Sequence, residues 1–421
     1  MKTKAVIENG FKKTGIGLIP EDWEVVNVDK YIQFERGTEP GSENYNKDKK
    51  GVRFLRVVDI SGSRDDKTYT TSKKLKLCKK KDILITFDGS PGIVKQGLEG
   101  AYSSGIRKVV IINKDLFSDY VYYVLQTIYV QKTIEKYTTG VTIKHSSKAI
   151  LHIKIPFFSI QEQQKIAFVL LKIQQAIEQQ DRIIETTREL KKSLMNKLFT
   201  EGLHGEEQKE TEIGLMPKSW DVERVAEVYN FKKKHNKFDI KQHKKIPFIP
   251  MEYISEQQRI VDKYDLKEKI SSGTFVLKGD LIVAKITPSF ENGKQGIVDN
   301  IPFEFVYATT EVWPIHNREG ESNINFLHYY LKKPDIRNEI AGKMEGSTGR
   351  QRVPKNVLEN LKIPFPRYAE QVEISGIFIS LDAKISQAES KKQSLQALFR
   401  TMLNQLMTGK VRVKDFDFEV N

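Results

Sequence analysis

Two long segments of the chain carry apolar residues at alternating spacings of three and four, which is the pattern of one helix face. They span residues 159–200 and 367–408, and neither contains proline. Each segment therefore predicts a helix of roughly five heptads, about 60 Å long. The stripes consist of Ile166, Leu170, Ile173, Ile177, Leu194 and Leu198 in the first, and of Ile374, Phe378, Leu381, Ile385, Leu395, Met402 and Leu406 in the second.

An exposed stripe of this length needs a partner, so we expect the two helices to pack on each other in antiparallel orientation. In that arrangement they act as a spacer. The same pattern also suits an ordinary structural or oligomerising coiled coil, and the two interpretations are compatible.

Ahead of each long helix, short apolar runs alternate with turns rich in Gly, Pro and Asp, which favours a compact α+β domain. Helical spacing recurs within each domain at residues 117–137 and 324–344. The predicted strands lie at 23–28, 52–60, 81–87 and 107–112 in the first domain, and at 220–225, 246–253, 280–286 and 307–315 in the second.

The two halves are copies of one unit. Residues 12–28 and 209–225 share nine of seventeen positions, including a Pro-x-x-Trp motif that we expect to be core. Residues 154–200 and 362–408 align without a gap and share thirteen of forty-seven positions. We therefore predict a pseudo-two-fold repeat in which two similar domains with small mixed β-sheets are separated by the antiparallel coiled-coil helices.

The repeat also gives domain boundaries. We predict a first domain at 1–158, its helix at 159–200, a connector at 201–213, a second domain at 214–366, its helix at 367–408 and a tail at 409–421. In a circular arrangement of the two copies, the beginning and the end of the chain should lie close together and resemble the connector.

The composition is basic, with 69 Lys and Arg against 55 Asp and Glu and a formal net charge of +14. A basic excess attracts nucleic acid through its phosphates, although many mildly basic proteins bind none. The single cysteine, Cys78, excludes a disulfide framework and agrees with a reducing cytosol. There is no apolar signal core and no apolar run long enough to span a bilayer, so we expect a cytoplasmic protein without membrane attachment.

Catalytic motifs are absent from the sequence. It contains no P-loop, no G-x-S-x-G, no H-E-x-x-H and no N-P-P-(Y/F) motif, and its seven histidines show no metal-ligand spacing. We therefore predict a chain with no catalytic residues, no metal and no cofactor of its own.

Polar and basic loops recur at matching places in both copies, and their side chains suit DNA. Arg and Lys fit guanine edges or phosphates, Gln fits adenine, and Ser and Thr approach phosphates. A solvated surface charge is the alternative role for each residue. The candidates are Arg36, Lys49, Lys50, Arg53, Arg56, Ser90, Lys95, Gln96, Arg107, Lys108, Thr139, Thr142, Lys144 and His145 in the first copy, and Lys232, Lys233, Lys234, Lys285, Thr287, Lys294, Gln295, Arg350, Gln351 and Arg352 in the second.

Four duplicated motifs carry a resemblance to a known family. They are G-L-(I/M)-P-x-x-W, a Lys-(Lys/Gly)-Asp start to a central strand, a (Thr/Ser)-Thr-Gly loop, and K-I-P-F followed by Glu-Gln at 162–163 and 370–371. In this order, and over nearly the whole chain, they resemble the specificity subunit of type I restriction–modification systems. The copies depart from each other after the central strand, where Lys285-Ile286-Thr287-Pro288 replaces Thr86-Phe87-Asp88-Gly89.

The resemblance implies two target-recognition domains, each reading one half of a split, asymmetric double-stranded DNA target. It implies that the helices set the unread gap and dock two methyltransferase (modification) subunits, which bind S-adenosylmethionine, and that motor-nuclease subunits join the complex. The departure after the central strand implies that the two domains need not read DNA alike. A protein-binding coiled-coil scaffold without DNA specificity is the main alternative, and a free-standing nuclease or methyltransferase with a divergent site is a third.

Overall fold

A computed structural model describes residues 10–62, 66–231, 244–347 and 349–414. The chain divides into two compact units. Unit 1 comprises residues 1–181 and 390–421, and unit 2 comprises residues 182–389. The long helices α4 (Ile160–Glu201) and α9 (Tyr368–Met407) each contribute to both units. Each unit thus completes its core with part of both helices.

Unit 1 is built from small sheets and short helices. A four-stranded antiparallel sheet has the order β11-β9-β13-β4, and a five-stranded mixed sheet has the order β5-β7-β6-β12-β8, in which β6 and β12 are parallel. The elements that precede α4 are β1 (Phe11–Thr14), β2 (Gly17–Pro20), β3 (Glu24–Asn27), β4 (Ile32–Arg36), β5 (Tyr45–Asn46), β6 (Val52–Leu55), α1 (Val57–Ser61), β7 (Thr68–Thr70), β8 (Leu77–Cys78), β9 (Ile83–Thr86), β10 (Asp88–Gly89), β11 (Val94–Lys95), β12 (Gly100–Tyr102), β13 (Ile106–Ile111), α2 (Ser118–Val124), α3 (Ile128–Lys136), β14 (Lys144–His145) and β15 (Lys154–Phe157).

Unit 2 repeats this plan with sheets of order β19-β27-β24-β25-β21 and β22-β20-β26-β23. Its elements are β16 (Gln208–Thr211), β17 (Gly214–Pro217), β18 (Asp221–Arg224), α5 (Val225–Val228), β19 (Tyr229–Asn230), β20 (Ile246–Ile249), β21 (Ile260–Val261), β22 (Asp265–Lys267), β23 (Thr274–Leu277), β24 (Leu281–Ala284), β25 (Gln295–Val298), β26 (Phe305–Ala308), β27 (Val312–Asn317), α6 (Ile324–Leu331), α7 (Pro334–Ala341), α8 (Lys355–Glu359) and β28 (Lys362–Phe365).

Several predicted elements are shorter than expected or are divided into two. The strand at 52–60 stops at Leu55, since Asp59 accepts a hydrogen bond from the Arg56 amide (2.8 Å) and starts α1. The strand at 307–315 is two strands joined by a turn. The helix at 324–344 is interrupted before Pro334, which begins α7, and α2 and α3 are divided at the equivalent place.

The repeated Pro-x-x-Trp motif forms the end of a β-hairpin whose tryptophan is fully buried in each unit. The Trp23 indole N–H donates to Glu162 at the start of α4 (3.2 Å), and that of Trp220 donates to Glu370 at the start of α9 (2.9 Å). In both copies the following glutamine, Gln163 or Gln371, caps backbone groups of the loop before α2 or α6. The duplicated Glu-Gln pair therefore ties each long helix to its own domain.

The end of a long helix closes each unit against the same motif. In unit 1, Gly409 lies so close to Pro20 that a Cβ there would be 2.2 Å from the ring. In unit 2, Gly202 approaches Pro217 in the same way, and both glycines have a φ of +67°. After Gly409, Arg412 forms hydrogen bonds with Glu162 and Asp22. The described part of the tail therefore lies against the beginning of unit 1, as expected.

The two long helices pack antiparallel. In unit 2, Lys191 pairs with Asp382 and Arg188 pairs with Glu389 (2.6 Å), so the numbers rise on α4 as they fall on α9. Apolar-stripe residues near the helix ends are buried in the domain cores, whereas those near the middle are half-buried. The core group is Ile166, Leu170 and Leu406 in unit 1 and Leu198, Ile374 and Phe378 in unit 2; Leu194, Leu381 and Met402 pack at the edges of these cores; Ile173, Ile177, Ile385 and Leu395 are half-buried.

Candidate nucleic-acid interface

In unit 1, two loops that are distant in sequence meet in a short strand pair. The turn after the central strand β9 forms β10, and the hairpin loop after α3 forms β14. Asp88 lies opposite His145, and Gly89 lies opposite Lys144. The hairpin is closed by two backbone hydrogen bonds between Thr139 and His145 (2.8 and 2.7 Å). The Asp-Gly turn and the Thr-Gly loop therefore form one surface.

Asp88 lies at the centre of this junction. It accepts a hydrogen bond from His145 Nδ1 (2.7 Å) and faces the Arg107 guanidinium at 3.7 Å. Arg107 also donates to the Ser104 carbonyl (2.5 Å) and to the Ser147 hydroxyl (3.0 Å), so it joins three loops. Only 5% of Arg107 is exposed, and burial lowers its pKa. The structure therefore places these Arg107 donors inside the junction and not on the surface that was predicted to contact DNA.

Exposed polar and basic side chains surround the junction. Arg36, at the end of β4, donates to the Ser104 carbonyl (3.3 Å) and keeps an exposed guanidinium. The other predicted DNA-contacting residues at this junction are exposed, and they are Ser90, Thr139, Thr142, Lys144 and His145. This group is called loop cluster 1.

The remaining predicted residues of unit 1 lie away from loop cluster 1. Lys49, Lys50 and Lys95 are exposed, and Gln96 is half-buried. Arg53 and Arg56 are half-buried beside Asp59, to which they form ion pairs at 3.4 and 3.7 Å. Lys108 pairs with Glu35 (2.9 Å). The structure therefore brings together only part of the predicted set.

Glu35 is held by three donors, and we expect it to make stability pH-dependent. Lys76, Lys108 and the Tyr102 hydroxyl lower the pKa of Glu35 from 4.5 to about 2. The folded-state pKa lies below the unfolded one, so this stabilisation is complete above about pH 4.5 and is lost as the pH falls towards about 2. We expect Glu35→Gln to lower the free energy of unfolding at neutral pH by about 1–2 kcal/mol.

Chemical denaturation across this pH range checks the expectation. The difference between wild type and the Glu35→Gln variant should shrink as the medium becomes acidic. The exposed Glu99, changed to glutamine, serves as the matched control. A difference that stayed constant down to about pH 3 would contradict the assignment.

Unit 2 brings the equivalent three loops together. The backbone of Arg352 forms two isolated antiparallel β-bridges. One is with Ile286, in the turn after β24, and the other is with Glu345, across the stem of its own loop. The Lys285 amide donates to the Glu311 carbonyl (3.0 Å), as the Phe87 amide donates to that of Gly105 in unit 1. Arg352 therefore pairs with the turn after the central strand and with the stem of its own loop, as His145 does in unit 1. Residues 285–293, 309–312, 345–347 and 349–353 form loop cluster 2.

The charges of loop cluster 2 differ from those of loop cluster 1. Arg352 donates two hydrogen bonds to the Glu311 carboxylate (2.9 and 2.7 Å), and these lower the pKa of Glu311. The Lys285 ammonium lies 4.0 Å from the Trp313 ring, and burial lowers its pKa. Arg350 is exposed. The roles of Glu311 and Trp313 were not predicted, because these residues lie 26 and 28 positions from Lys285 in the sequence and meet it only in the folded chain.

Other predicted residues of unit 2 are less accessible. Thr287 and Gln351 are half-buried, Thr287 donates to Glu291 (2.7 Å), and Lys294 donates to the Met251 carbonyl (3.2 Å). Lys232, Lys233 and Lys234 lie outside the described residues.

Gln295 was also predicted to contact DNA, but the structure buries it. It is 2% exposed, and its amide donates to the His328 carbonyl (2.8 Å). In β25 it lies opposite Val283, the position that Val94 occupies opposite Ile85 in unit 1. The Lys-Gln-Gly motif is thus shifted by two residues along the strand between the copies, so that Gln295 takes the buried position that Val94 has in unit 1.

Within the described part of the chain, no group of three or more His, Cys, Asp or Glu side chains is arranged to hold a metal ion. Within the same residues, no helix is long and apolar enough to cross a membrane.

Comparison with known proteins gives one consistent family. The family model for the type I restriction modification DNA specificity domain matches residues 20–188 and again residues 217–397. The chain is 27% identical over 434 residues to the type I restriction enzyme MjaVIII specificity subunit of Methanocaldococcus jannaschii, with 98% of each chain covered. It is 32% identical over 186 residues to the type I restriction enzyme EcoEI specificity subunit of Escherichia coli, covering 44% of this chain and 31% of that one.

Solved structures share the fold. The S subunit of a type I restriction–modification system from M. genitalium superposes with a TM-score of 0.58 at 17% identity, covering 91% of this chain and 96% of the other. A chain from a structure concerned with the assembly and conformational transition of the type I system gives 0.53 at 13% identity, covering 93% and 99%. The α+β architecture with two similar domains and a paired helix is therefore common to these proteins.

Proposed function

Because this chain belongs to the family of type I restriction modification DNA specificity domains, we propose that loop clusters 1 and 2 each read one half of a bipartite, asymmetric double-stranded DNA target. One observation carries the proposal. The same three loops converge in both units, through equivalent backbone hydrogen bonds, and each convergence displays a cationic side chain, Lys144 or Arg350.

The difference between the two clusters supports an asymmetric target. His145 bonded to Asp88 stands where Arg352 bonded to Glu311 stands in the other copy. Bases are discriminated by the donors, acceptors and apolar groups that a protein presents to the groove edges. Two scaffolds of the same design with different side chains would therefore select different half-sites.

The proposal extends to the rest of the complex. The helices α4 and α9 set the length of the unread gap and dock two methyltransferase subunits, and motor-nuclease subunits join through the complex. Those partners supply S-adenosylmethionine binding and catalysis, and this chain acts in the cytoplasm without turnover of its own. The support is the pairing of two long helices and the type I specificity subunits among its relatives.

Duplex binding as a function of salt tests the DNA-reading proposal against a protein-only scaffold. A DNA reader neutralises phosphates, so the logarithm of its affinity should fall linearly with the logarithm of the salt concentration. We expect this slope for the full chain with its methyltransferase partner, and a shallower slope by about one for Lys144→Gln. Duplex affinity that is absent at low salt would support the scaffold instead.

The hairpin of loop cluster 1 presents apolar side chains, and we expect these to detect a thymine methyl group. Val141 is fully exposed and Ile143 is 58% exposed at a tip held by Gly140, whose φ is +95°. Aliphatic side chains contact the thymine methyl in the major groove. Replacing the contacted thymine of the first half-site by deoxyuridine should therefore weaken binding about fourfold, the effect of one buried methyl.

Val141→Ala tests whether the effect of the missing thymine methyl group depends on this side chain. In the variant, thymine and deoxyuridine duplexes should bind with nearly equal affinity. The same replacement in the second half-site is the control, because the loop of unit 2 carries Gly346, Ser347 and Arg350 instead. Equal tolerance of deoxyuridine at every position by the wild type would contradict the assignment.

A further inference from the structure

Unit 2 contains a cleft of about 1050 Å³ whose lining residues lie outside loop cluster 2. It is bordered by the long helices, by α6 and by the loop at residues 251–263. Seven Lys or Arg side chains and five Asp or Glu side chains line it. Two of the carboxylates, Asp382 and Glu389, are already paired with Lys191 and Arg188. Five cations therefore remain against three carboxylates.

Three of these cations are bound only to neutral oxygens. Lys332 donates to the backbone carbonyls of Glu256 (2.6 Å) and Gly293 (2.7 Å). Lys294 donates to the Met251 carbonyl (3.2 Å), and Arg259 donates to the Asn325 amide oxygen (2.6 Å). Among the described residues, none of the three forms an ion pair within 4.0 Å. Cations thus outnumber carboxylates in the cleft, and these three have no carboxylate in direct contact among the described residues.

Unit 1 shows that the fold does not require these charges. Tyr123 and Tyr329 are equivalent, because their hydroxyls bond to Gln174 and Asp382, which are 208 positions apart on α4 and α9. Counting from these tyrosines places Gln126 of unit 1 at the position of Lys332.

The next equivalent pair extends the contrast. The same count places Gln131 at the position of Arg337. Gln131 donates to the carbonyls of Gly92 and Leu125. Arg337 donates to the Lys332 carbonyl (2.8 Å), while its Nε is buried without a hydrogen-bond partner among the described residues. Unit 1 therefore has two neutral amide side chains, Gln126 and Gln131, at the positions where unit 2 has the cations Lys332 and Arg337.

Clustered cations in a partly dehydrated cleft carry a free-energy cost that a bound anion would offset. Burial, followed by the nearby charges of Arg337 and Lys191, lowers the pKa of Lys332 to about 7. Burial and the charges of Lys332, Lys191 and Arg259 likewise lower the pKa of His328 on the cleft wall. The cleft is therefore electropositive in its unoccupied form.

We propose that the cleft of unit 2 binds a phosphate-bearing ligand, held by Lys332, Lys294 and Arg259. Separate ammonium and guanidinium donors on different elements suit the several oxygens of a phosphate better than a single carboxylate. The volume suits a ligand of nucleotide size, since small-molecule pockets commonly measure about 300–1,000 Å³. The phosphate comes from a free nucleotide or from the backbone of a DNA strand, and the experiment separates these sources.

The first arm measures binding of ATP without magnesium, and of inorganic phosphate, to the full chain by calorimetry. The test variant is Lys332→Gln with Arg337→Gln, which installs the residues of unit 1 and is therefore compatible with the fold. If the source is a free nucleotide, the wild type binds ATP and the double variant binds it about tenfold to a hundredfold more weakly. Lys269→Gln, exposed and away from the cleft, is the control and should bind like the wild type.

The second arm measures binding of a target duplex by the same proteins. If the source is the DNA backbone, the double variant loses duplex affinity by a similar factor while ATP binds neither protein. Base preference should survive in the double variant, because loop clusters 1 and 2 are unchanged. If the wild type itself binds target and non-target duplexes equally well, the proposed function fails. That result differs from the one that would refute the phosphate site, so the two failures can be told apart.

The affinity for the anion, measured as a function of pH, distinguishes a lysine that binds the anion from one with only a structural role. Lys332 faces His328 on its own helix, Arg337 from α7, Lys191 from α4, Asp382 from α9 and Glu256 from the 251–263 loop. An anion favours the protonated lysine, so wild-type affinity should fall about fivefold or more between about pH 6 and pH 8.

Lys332→Gln alone should weaken this pH dependence, and thermal unfolding confirms that each variant is folded. The proposal is overturned if neither ATP, inorganic phosphate nor duplex distinguishes the wild type from the folded double variant.

Discussion

Replacing Glu162 by glutamine is expected to lower the free energy of unfolding by about 3–5 kcal/mol. The carboxylate is 3% exposed and accepts hydrogen bonds from the Trp23 indole and from two nitrogens of Arg412 (2.7 and 2.9 Å). Glutamine removes the buried negative charge, so the Arg412 charge is then compensated by Asp22 alone. The pKa of Asp22 is lowered by its hydrogen bond with Arg412. Denaturant unfolding followed by tryptophan fluorescence measures the loss.

Glu370→Gln is the matched control for Glu162→Gln. Glu370 occupies the equivalent position, but its hydrogen bonds come from the Trp220 indole (2.9 Å) and the Leu203 amide (3.2 Å). Because no arginine is bonded to Glu370, the expected loss is about 1–2 kcal/mol. Equal losses in the two variants would show that Arg412 adds nothing to the closure of unit 1.

Replacing Arg350 by alanine is expected to reduce methylation of the target by about tenfold to a hundredfold, the effect of one base-reading arginine. Arg350 is exposed in the hairpin of loop cluster 2, and within the described residues no carboxylate lies within 4.0 Å of its guanidinium. It is therefore free to bind a guanine edge bidentately. The measurement is the initial rate of methyl transfer by the complex on a target duplex.

Arg352→Ala is the control from the same loop. The Arg352 guanidinium is already bound to Glu311 by two hydrogen bonds, so its loss should affect the loop more than base selection. Arg350→Lys separates charge from geometry, because lysine keeps the phosphate attraction but cannot form the bidentate contact. If Arg350→Ala and Arg352→Ala lowered the rate on target and non-target duplexes alike, the assignment of Arg350 to base reading would be wrong.

Patterns that repeat over many residues were predictable from the sequence. The family, the α+β class and the antiparallel pair of long helices are confirmed. Apolar periodicity and the duplicated motifs carried these predictions, because a helix face and a repeated core both need many residues of the same kind. The buried Trp23 and Trp220 followed from the same duplication.

Individual site residues were harder to predict because a few ångströms of geometry decide their roles. Arg107 appears in a basic run but is buried by three converging loops. Gln295 belongs to a motif shared by the two copies, yet the motif is shifted by two residues along the strand, and Gln295 occupies the buried position of Val94. The pairing of Asp88 with His145 depends on loops separated by 57 positions. Local sequence does not determine which distant loop a side chain meets.

Sequencing of modified adenines in DNA from a host that carries this chain and its methyltransferase partner tests the central claim most directly. We predict a recognition sequence in two specified parts separated by a stretch of fixed length in which any base is accepted. Exchange of loop cluster 2 for that of a relative should alter one part only. A single uninterrupted recognition sequence, or a change in both parts after that exchange, would contradict the assignment of one half-site to each unit.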